Sequence, residues 1–392
     1  MNSQQKDFTC IAVDMGAGSI RVMLGVINGE GLSYEEIHRI TNEIEEKDGK
    51  DRWEMDRIAR EIRTGISKAI EVSELSPESI GVDAWGVDYV MLDEHGVLVE
   101  TPVAYRDSRT EGMQEKWKSM MPEMETFRRT GINFYIFNTL FQLLSCRDSG
   151  EMNRTSRILF VPAYINFLLS GKARNELTVS STSQLLGVEG DQWDQKVLEL
   201  LHLDRDLLGD VIPPGTRLGP VTIPEAKSTG METVAVCGHD TACVVAAIPV
   251  EHPDYAFISA GTWCIVGIES EDPLISEEAL RLGLTNERAY GNRYKTLKNI
   301  VGLWLLQGLK KPTFALWIGL YRQLIMPPIL FYLVTQVLDL GLTGIWWGIF
   351  GITWSAAIVA VLFARSQVDR MARTARTSDS PENGEDKEPS VA

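Results

Sequence analysis

A short acidic motif near the middle of the chain, Gly-His-Asp-Thr at residues 238–241, has side chains that could do chemistry. It follows an apolar run at residues 234–237 that predicts a strand, and it precedes an apolar run at residues 242–248 that predicts a helix. Because the helix dipole favours an acid at its N-terminus, Asp240 could be an ordinary N-cap. In phosphoryl transfer, however, one carboxylate accepts the proton of the attacking hydroxyl. Asp240 is therefore our candidate catalytic base.

A second candidate is the small-residue turn at residues 16–19, between predicted strands at residues 11–13 and 21–26. Small side chains let phosphate oxygens approach the backbone N–H groups of such a turn, although a plain hairpin turn is the simpler interpretation. Asp14 ends the first strand, where its carboxylate could hold Mg²⁺ through water or simply cap the turn. No Gly-Lys-Ser/Thr follows, which excludes a Walker A loop. A similar outline at residues 256–267 favours two related halves whose turns face each other across a cleft.

The elements that would position these groups are those of an α/β enzyme, since strand-like runs alternate with amphipathic helices from residue 8 to about residue 307. The clearest helix is predicted over residues 56–72. Its isoleucines recur every four residues along one face: Ile58, Ile62, Ile66 and Ile70. Further strands are predicted over residues 80–85 and 256–268, and residues 89–99 predict a hairpin.

The overall composition restricts the partners and the compartment. The chain has 392 residues and a formal charge of −16, and this acidic surplus argues against nucleic acid as a partner. Five cysteines form no C-x-x-C pair, so a disulfide framework or a zinc site is not expected. Residues 1–6 are polar and do not resemble a signal peptide. Together these features predict a protein of the reducing cytoplasm.

The amino-acid composition changes abruptly at about residue 312, where charged residues become rare. Residues 323–338 carry no charge, and residues 340–364 form a second uncharged run of 25 residues. Because about 20 apolar residues cross a bilayer, residues 312–364 predict a membrane-spanning hairpin whose flanking Lys and Arg place both ends on the cytoplasmic side. A buried helical pair in a soluble core is the alternative. The last residues, 374–392, are polar and acid-rich, which predicts disorder.

Six motifs in order along residues 8–307 resemble rhamnulokinases, which are sugar kinases of the FGGY family. They are residues 14–21, 81–88, 104–109, 238–241, 259–263 and 297–307. The resemblance implies an α/β, actin-like ATPase (ribonuclease H-like) fold with two domains. It also implies a kinase that uses ATP and Mg²⁺ to convert L-rhamnulose to L-rhamnulose 1-phosphate in L-rhamnose breakdown.

The resemblance also assigns roles to single residues of this sequence. Asp240 would be the proton acceptor. The sugar would be lined by Gly86, His239, Asp240 and Thr241. The nucleotide would be contacted by Ala17, Gly18, Ser19, Ile20, Arg21, Thr262, Asn299 and Gln307. Ile20 stands where the family usually has a glycine, so its bulk is expected to crowd the phosphate turn.

The resemblance divides the chain into four parts. Residues 1–243 would be the sugar-binding domain and residues 244–307 the start of the nucleotide domain. Residues 308–365 resemble the last two helices of MATE transporters, and residues 366–392 would be a tail. Family members continue beyond residue 307 with more of the second domain, so we expect a C-terminally truncated kinase with weak or no activity. The alternatives are an inactive, membrane-tethered sugar-binding remnant of a gene fusion or assembly error, or a kinase for another sugar such as xylulose or glycerol.

Overall fold

The computed structural model describes residues 7–147, 149–250, 255–260 and 264–300, together with short stretches between residues 317 and 365. The chain divides into two compact units. The first comprises Met1–Ile258 with Val266–Asn299, and the second comprises Ser259–Ile265 with Ile300–Ala392. All the site residues described below lie in the first unit.

Strands and helices alternate along the described residues, as expected for an α/β chain. The strands are β1 (Phe8–Met15), β2 (Ser19–Asn28), β3 (Gly31–Thr41), β4 (Ile44–Lys47), β5 (Lys50–Trp53), β6 (Ser79–Ala84), β7 (Tyr89–Leu92), β8 (Arg157–Phe160), β9 (Asn175–Glu176), β10 (Val211–Ile212), β11 (Thr216–Pro220), β12 (Glu232–Ala235), β13 (Ala256–Ala260), β14 (Cys264–Ser270), β15 (Thr285–Arg288) and β16 (Tyr294–Ile300). The helices are α1 (Met55–Val72), α2 (Met113–Lys118), α3 (Glu123–Thr130), α4 (Thr139–Cys146), α5 (Gly150–Asn153), α6 (Val161–Ser170), α7 (Leu177–Ser181), α8 (Gln195–Leu201), α9 (Arg205–Leu208), α10 (Asp240–Ala246), α11 (Glu277–Leu282) and α12 (Met326–Tyr332). Short 3₁₀ turns lie at Ser108–Thr110 and Tyr290–Asn292.

A six-stranded sheet with the order β11-β12-β6-β1-β2-β3 forms the centre of the first unit. Strands β1, β2 and β3 make an antiparallel meander, whereas β6 pairs parallel to β1 and β12 pairs parallel to β6. The carboxyl ends of three parallel strands therefore meet at one edge of the sheet. This pairing sets Asp14 beside Arg21 on β2 and beside Asp83 on β6.

One part of the core lies between this sheet and helix α1, and another surrounds α4 and α8 with Trp117, Phe141 and Leu198. Alternate residues of β1 are buried, because successive side chains of a strand point to opposite faces. Helix α1 covers that face with Ile58, Ile62 and Ile66, each of which is at most 1% exposed. The predicted helix and its apolar stripe are confirmed, and Ala69 joins the buried face while Ile70 is half-buried.

The predicted strands near the motifs are also observed, with two differences. The hairpin at residues 89–99 turns at Asp93, whose Oδ1 accepts hydrogen bonds of 2.9 Å from the backbone N–H groups of His95 and Val97. However, the regular antiparallel partner of β7 is β8. The strand predicted over residues 256–268 divides into β13 and β14, and the turn between them, residues 261–263, lies outside the described residues.

Most of the predicted membrane hairpin at residues 312–364 also lies outside the described residues. Helix α12, inside this segment, has 7 residues. Among the described residues, no helix combines the length and the apolar character that crossing a membrane requires. The hairpin therefore receives no support from this part of the chain.

Candidate functional site

Asp240 is the first residue of helix α10, at the carboxyl end of the parallel strands. His239 occupies the N-cap position, so the alternative that Asp240 caps the helix is not observed. The Oδ1 atom of Asp240 accepts a hydrogen bond of 2.6 Å from the backbone N–H of Thr241 and one of 3.2 Å from its hydroxyl. The side chain of Asp240 is 37% exposed. One edge of this carboxylate is thus held while the group stays accessible to a ligand.

Three carboxyl groups interact electrostatically at this edge of the sheet. Burial raises the pKa of Asp83 well above its ordinary value, and the negative charges of Asp14 and Asp240 raise it further. Burial also raises the pKa of Asp14, while the nearby guanidinium of Arg21 opposes that rise. The Arg21 Nε atom lies 3.4 Å from Asp14 Oδ2. Burial and the charges of two neighbouring carboxylates thus act together to raise the pKa of Asp83.

The small-residue turn between β1 and β2 is closed by its own backbone. The N–H of Gly16 donates to the carbonyl of Ser19 at 3.0 Å. Asn42 braces the turn, because its side-chain amide donates to the Gly16 carbonyl at 3.0 Å and its backbone N–H to the Gly18 carbonyl at 3.2 Å. Ile20 is 1% exposed, so its bulk packs in the core.

The loop after β6 carries Gly86, the predicted sugar-lining residue, and is held in an unusual conformation. Val87 has a φ of 66°, in the left-handed region that β-branched residues rarely adopt. Its N–H donates to Thr182 Oγ1 at 3.0 Å, and its carbonyl accepts from Thr139 Oγ1 at 2.6 Å. A Cβ at Gly86 would lie 3.0 Å from Thr182 Oγ1. The loop is therefore strained, braced and closely packed, as is common at ligand sites.

The buried carboxylate of Asp88 stabilises this loop through hydrogen bonds. Asp88 is 0% exposed, and its Oδ2 accepts the indole N–H groups of Trp53 at 2.6 Å and Trp85 at 2.9 Å. Its Oδ1 accepts from the Gln142 amide at 3.2 Å. Burial raises the pKa of Asp88, and the indole hydrogen bonds partly offset that rise. The network orients Trp85, the residue that precedes Gly86.

Another buried acid, Glu176, anchors the turn at residues 238–241 that carries the candidate base. Its Oε2 accepts four hydrogen bonds: from Gly238 N at 2.8 Å, Thr178 N at 2.9 Å, Thr178 Oγ1 at 2.7 Å and Val179 N at 3.2 Å. A Cβ at Gly238 would lie 2.9 Å from this oxygen, so only glycine fits there without a shift. Burial raises the pKa of Glu176, and these hydrogen bonds lower it. Glu176 thus fixes the backbone just before Asp240.

The predicted nucleotide residues are only partly described. Ala17, Gly18, Ser19 and Arg21 lie in or beside the turn after β1, as expected. Asn299 lies in β16, half-buried and hydrogen-bonded to Tyr135. Thr262 and Gln307 lie outside the described residues. The structure therefore brings together Asp14, the phosphate turn and Asp240, while Thr262 and Gln307 remain predictions.

Comparison with known proteins places this geometry in a family. Residues 9–247 match the FGGY family of carbohydrate kinases, N-terminal domain. The chain belongs to this family. A rhamnulokinase from Pectobacterium carotovorum subsp. carotovorum (strain PC1) is 39% identical over 301 residues, which is 76% of this chain and 60% of that protein. A rhamnulokinase from Enterobacter sp. (strain 638) is 39% identical over 306 residues, 77% of this chain and 62% of that protein. The chain thus spans about three fifths of the length of the curated relatives it matches.

Solved structures with a similar fold are sugar kinases. Gluconate kinase from Lactobacillus acidophilus superimposes with a TM-score of 0.69 at 17% identity, over 81% of this chain and 66% of that chain. Ligand-bound xylulose kinase from the same organism gives a TM-score of 0.67 at 18% identity, over 78% of this chain and 63% of that chain. At such low sequence identity, these structural similarities are evidence for the fold alone. They confirm the actin-like sugar-kinase fold that the motifs predicted.

Sequence reasoning missed several residues of the site, among them Asp83, Asn42 and Glu176. Asp83 lies inside the motif at residues 81–88, and an acid within a buried strand was the signal that could have identified it. The contact of Asn42 with Gly16 and that of Glu176 with Gly238 have no such local signal, because each joins residues that are remote in sequence. These contacts depend on the tertiary fold.

Proposed function

We propose that this chain is a sugar kinase that transfers the γ-phosphoryl group of ATP to L-rhamnulose. The products are L-rhamnulose 1-phosphate and ADP. The observation that carries the proposal is the accessible carboxylate of Asp240, electrostatically linked to Asp14 at the mouth of the phosphate turn. The 39% identity to rhamnulokinases supports the choice of sugar. We place the reaction in the cytoplasm, where the free thiols of Cys10, Cys146, Cys237 and Cys243 would stay reduced.

In this proposal Asp240 accepts the proton of the attacking sugar hydroxyl. The hydroxyl oxygen forms a bond to the γ-phosphorus as the bond from that phosphorus to the β–γ bridging oxygen breaks, and ADP leaves. Thr241 holds Oδ1 of Asp240 through its backbone N–H, so the carboxylate need not reorganise during transfer. The turn of Glu176 and Gly238 fixes the start of helix α10 and thereby the position of Asp240.

The residues at this edge suit Mg²⁺, which binds proteins through one or two carboxylates and keeps phosphate and water ligands. Among the described residues no group of three or more His, Cys, Asp or Glu side chains could hold a metal by itself. Asp14 offers a carboxylate beside the turn that would bind phosphate. A bound Mg²⁺ would supply neutralisation of the charge on the phosphates.

The sugar would lie against the Gly86 loop and the start of helix α10. Gly86 lets Thr182 pack closely against the loop, and the hydrogen bonds of Thr182 and Thr139 keep the strained loop in place. The buried carboxylate of Asp88 fixes the indole of Trp85, the residue before Gly86. Preorganised loops of this kind bind a sugar at a lower entropic cost than mobile ones.

A coupled ADP-release assay with Mg²⁺ and ATP tests the proposal. L-rhamnulose is compared with D-xylulose and glycerol as alternative acceptors. We expect turnover that is fastest with L-rhamnulose. Turnover that prefers another sugar would reject the proposed substrate. Sugar binding without turnover, measured by calorimetry, would instead support an inactive sugar-binding protein.

Membrane attachment through residues 312–364 stays a prediction of the sequence and is not part of the proposed reaction. Carbonate washing of membranes from expressing cells tests it directly. Release of the whole chain into the wash would reject the hairpin, and retention in the pellet would support it.

A further inference from the structure

We propose that a buried ion pair between strands β15 and β16, Glu287 with Lys295, positions the catalytic base. The pair acts through His239, the chain neighbour of Asp240. The inference rests on the proposed function, because it gives these strands a task in the same reaction. Neither Glu287 nor Lys295 was singled out by the motifs of the sequence.

The ion pair is built into the sheet. Glu287 and Lys295 are directly opposite each other in the antiparallel register of β15 and β16. Lys295 Nζ lies 3.1 Å from Glu287 Oε2, and the two side chains are 0% and 10% exposed. Removing two charges from water is costly, and replacement by apolar residues often stabilises a fold. A fully buried lysine in such a pair therefore suggests a task beyond stability.

Both members of the ion pair contact the same nitrogen of the His239 imidazole, Nδ1. Glu287 Oε2 lies 3.1 Å and Lys295 Nζ lies 3.2 Å from Nδ1 of that ring. The opposite ring nitrogen, Nε2, lies 3.3 Å from Asp240 Oδ1. An unprotonated Nδ1 can accept from the ammonium, and a protonated Nδ1 is attracted electrostatically to the carboxylate. The ring is thus held in either state, with Nε2 directed at the catalytic carboxylate.

The strand that carries Glu287 is anchored to the N-terminal part of the chain. The backbone N–H of Asn286 donates to the Gly131 carbonyl at 2.9 Å, and that of Arg288 donates to Ser181 Oγ at 2.9 Å. These bonds flank Glu287 on both sides. The position of the carboxylate is therefore set by the fold, which allows it to hold His239 and, through it, the base. Candidate bases are commonly oriented by such a third group.

The test uses the full chain with Glu287→Gln, which keeps the shape and removes the charge. Steady-state kinetics with Mg-ATP and L-rhamnulose should give a kcat about tenfold lower, with the KM for sugar changed less than about threefold, since the loss of one charge-assisted contact misplaces the base. The matched control is Glu269→Gln in β14. That carboxylate is 14% exposed and pairs with Arg293, the residue just before β16, and no contact joins it to Asp240 in the part of the chain that the structure describes.

A second measurement, by NMR spectroscopy, tests the inference without relying on catalytic turnover. The chain has only 5 histidines, so the ring nitrogens of His239 can be followed by ¹⁵N NMR. We expect both nitrogen signals to shift in Glu287→Gln, and in the double variant Glu287→Gln/Lys295→Met, which leaves no lone buried charge. Glu269→Gln should leave them in place. Unchanged His239 signals, or a loss confined to the KM for sugar, would overturn the inference. A kinase-inactive wild type would reject the proposed function alone, and the NMR result would still decide this one.

Discussion

The acidic residues around the site differ in pKa because their surroundings differ. Burial raises the pKa of Asp83, Asp88 and Glu176, and hydrogen bonds partly oppose that rise at Asp88 and Glu176. Burial acts in the same direction on Glu287, but the nearby Lys295 ammonium and His239 imidazole prevail and lower its pKa to about 2. One site thus combines carboxyl groups whose pKa is raised by burial with one whose pKa is lowered by its neighbours. Such divergence is typical of functional sites.

Because the pKa of Glu287 is lowered in the folded chain, we expect part of the unfolding free energy to be lost at acid pH. Its folded pKa of about 2 lies below the ordinary value of 4.5, so the unfolded chain binds more protons between these values. This contribution is present above pH 4.5 and is lost as the pH falls toward 2. The difference in unfolding free energy between the wild type and Glu287→Gln should therefore shrink when urea unfolding at about pH 6 is repeated at about pH 3. A constant difference would contradict the assignment.

The close fit of Gly86 predicts that even one methyl group impairs the sugar loop. In Gly86→Ala the new Cβ would press on Thr182, whose hydroxyl accepts the hydrogen bond of the strained Val87. We expect the KM for sugar to rise about tenfold or more, because a small displacement of a positioning loop weakens binding strongly. Gly29→Ala is the control, since a Cβ there would meet no atom within 4 Å. Equal KM values for both variants would argue against a sugar site at this loop.

At the scale of elements, helix α1 packs on the sheet through a glycine. A Cβ at Gly65 would lie 2.5 Å from Val22 Cγ2 on β2. Gly65→Ala should therefore destabilise the fold by about 1–3 kcal/mol through overpacking. This loss outweighs the gain of about 1 kcal/mol in helix propensity. Thr64→Ala, at an exposed neighbouring position of the same helix, should be nearly neutral. Urea unfolding measures both variants, and a Gly65→Ala protein as stable as the control would contradict this packing.

Elements with a local signal could be predicted from the sequence, and those without one could not. Helix α1 was predictable because its isoleucines repeat at helical spacing, and the phosphate turn because small residues interrupt two apolar runs. The pairing of β1 with β6 joins residues that are far apart in the chain, and only the folded sheet reveals that it sets Asp83 beside Asp14. The contact of β15 with the turn of His239 is equally non-local. Candidate acids could thus be found by motif, whereas the groups that tune them could not.

At the scale of the whole molecule, the described residues of the first unit bring together groups that we predicted to act in a kinase. The predicted phosphate turn, the predicted sugar loop and Asp240 all lie in or beside a sheet that matches the FGGY family over residues 9–247. The account therefore depends on whether Asp240 acts as the base of a phosphoryl transfer to sugar.

The most direct test measures ATP-dependent turnover of L-rhamnulose by the wild type and by Asp240→Asn, with sugar affinity measured in parallel by calorimetry. The amide keeps the size of the side chain and cannot accept the proton, so kcat should fall by about 100-fold or more while sugar still binds. Glu269→Gln, remote from this carboxylate, should match the wild type. Turnover in Asp240→Asn equal to that of the wild type would contradict the account.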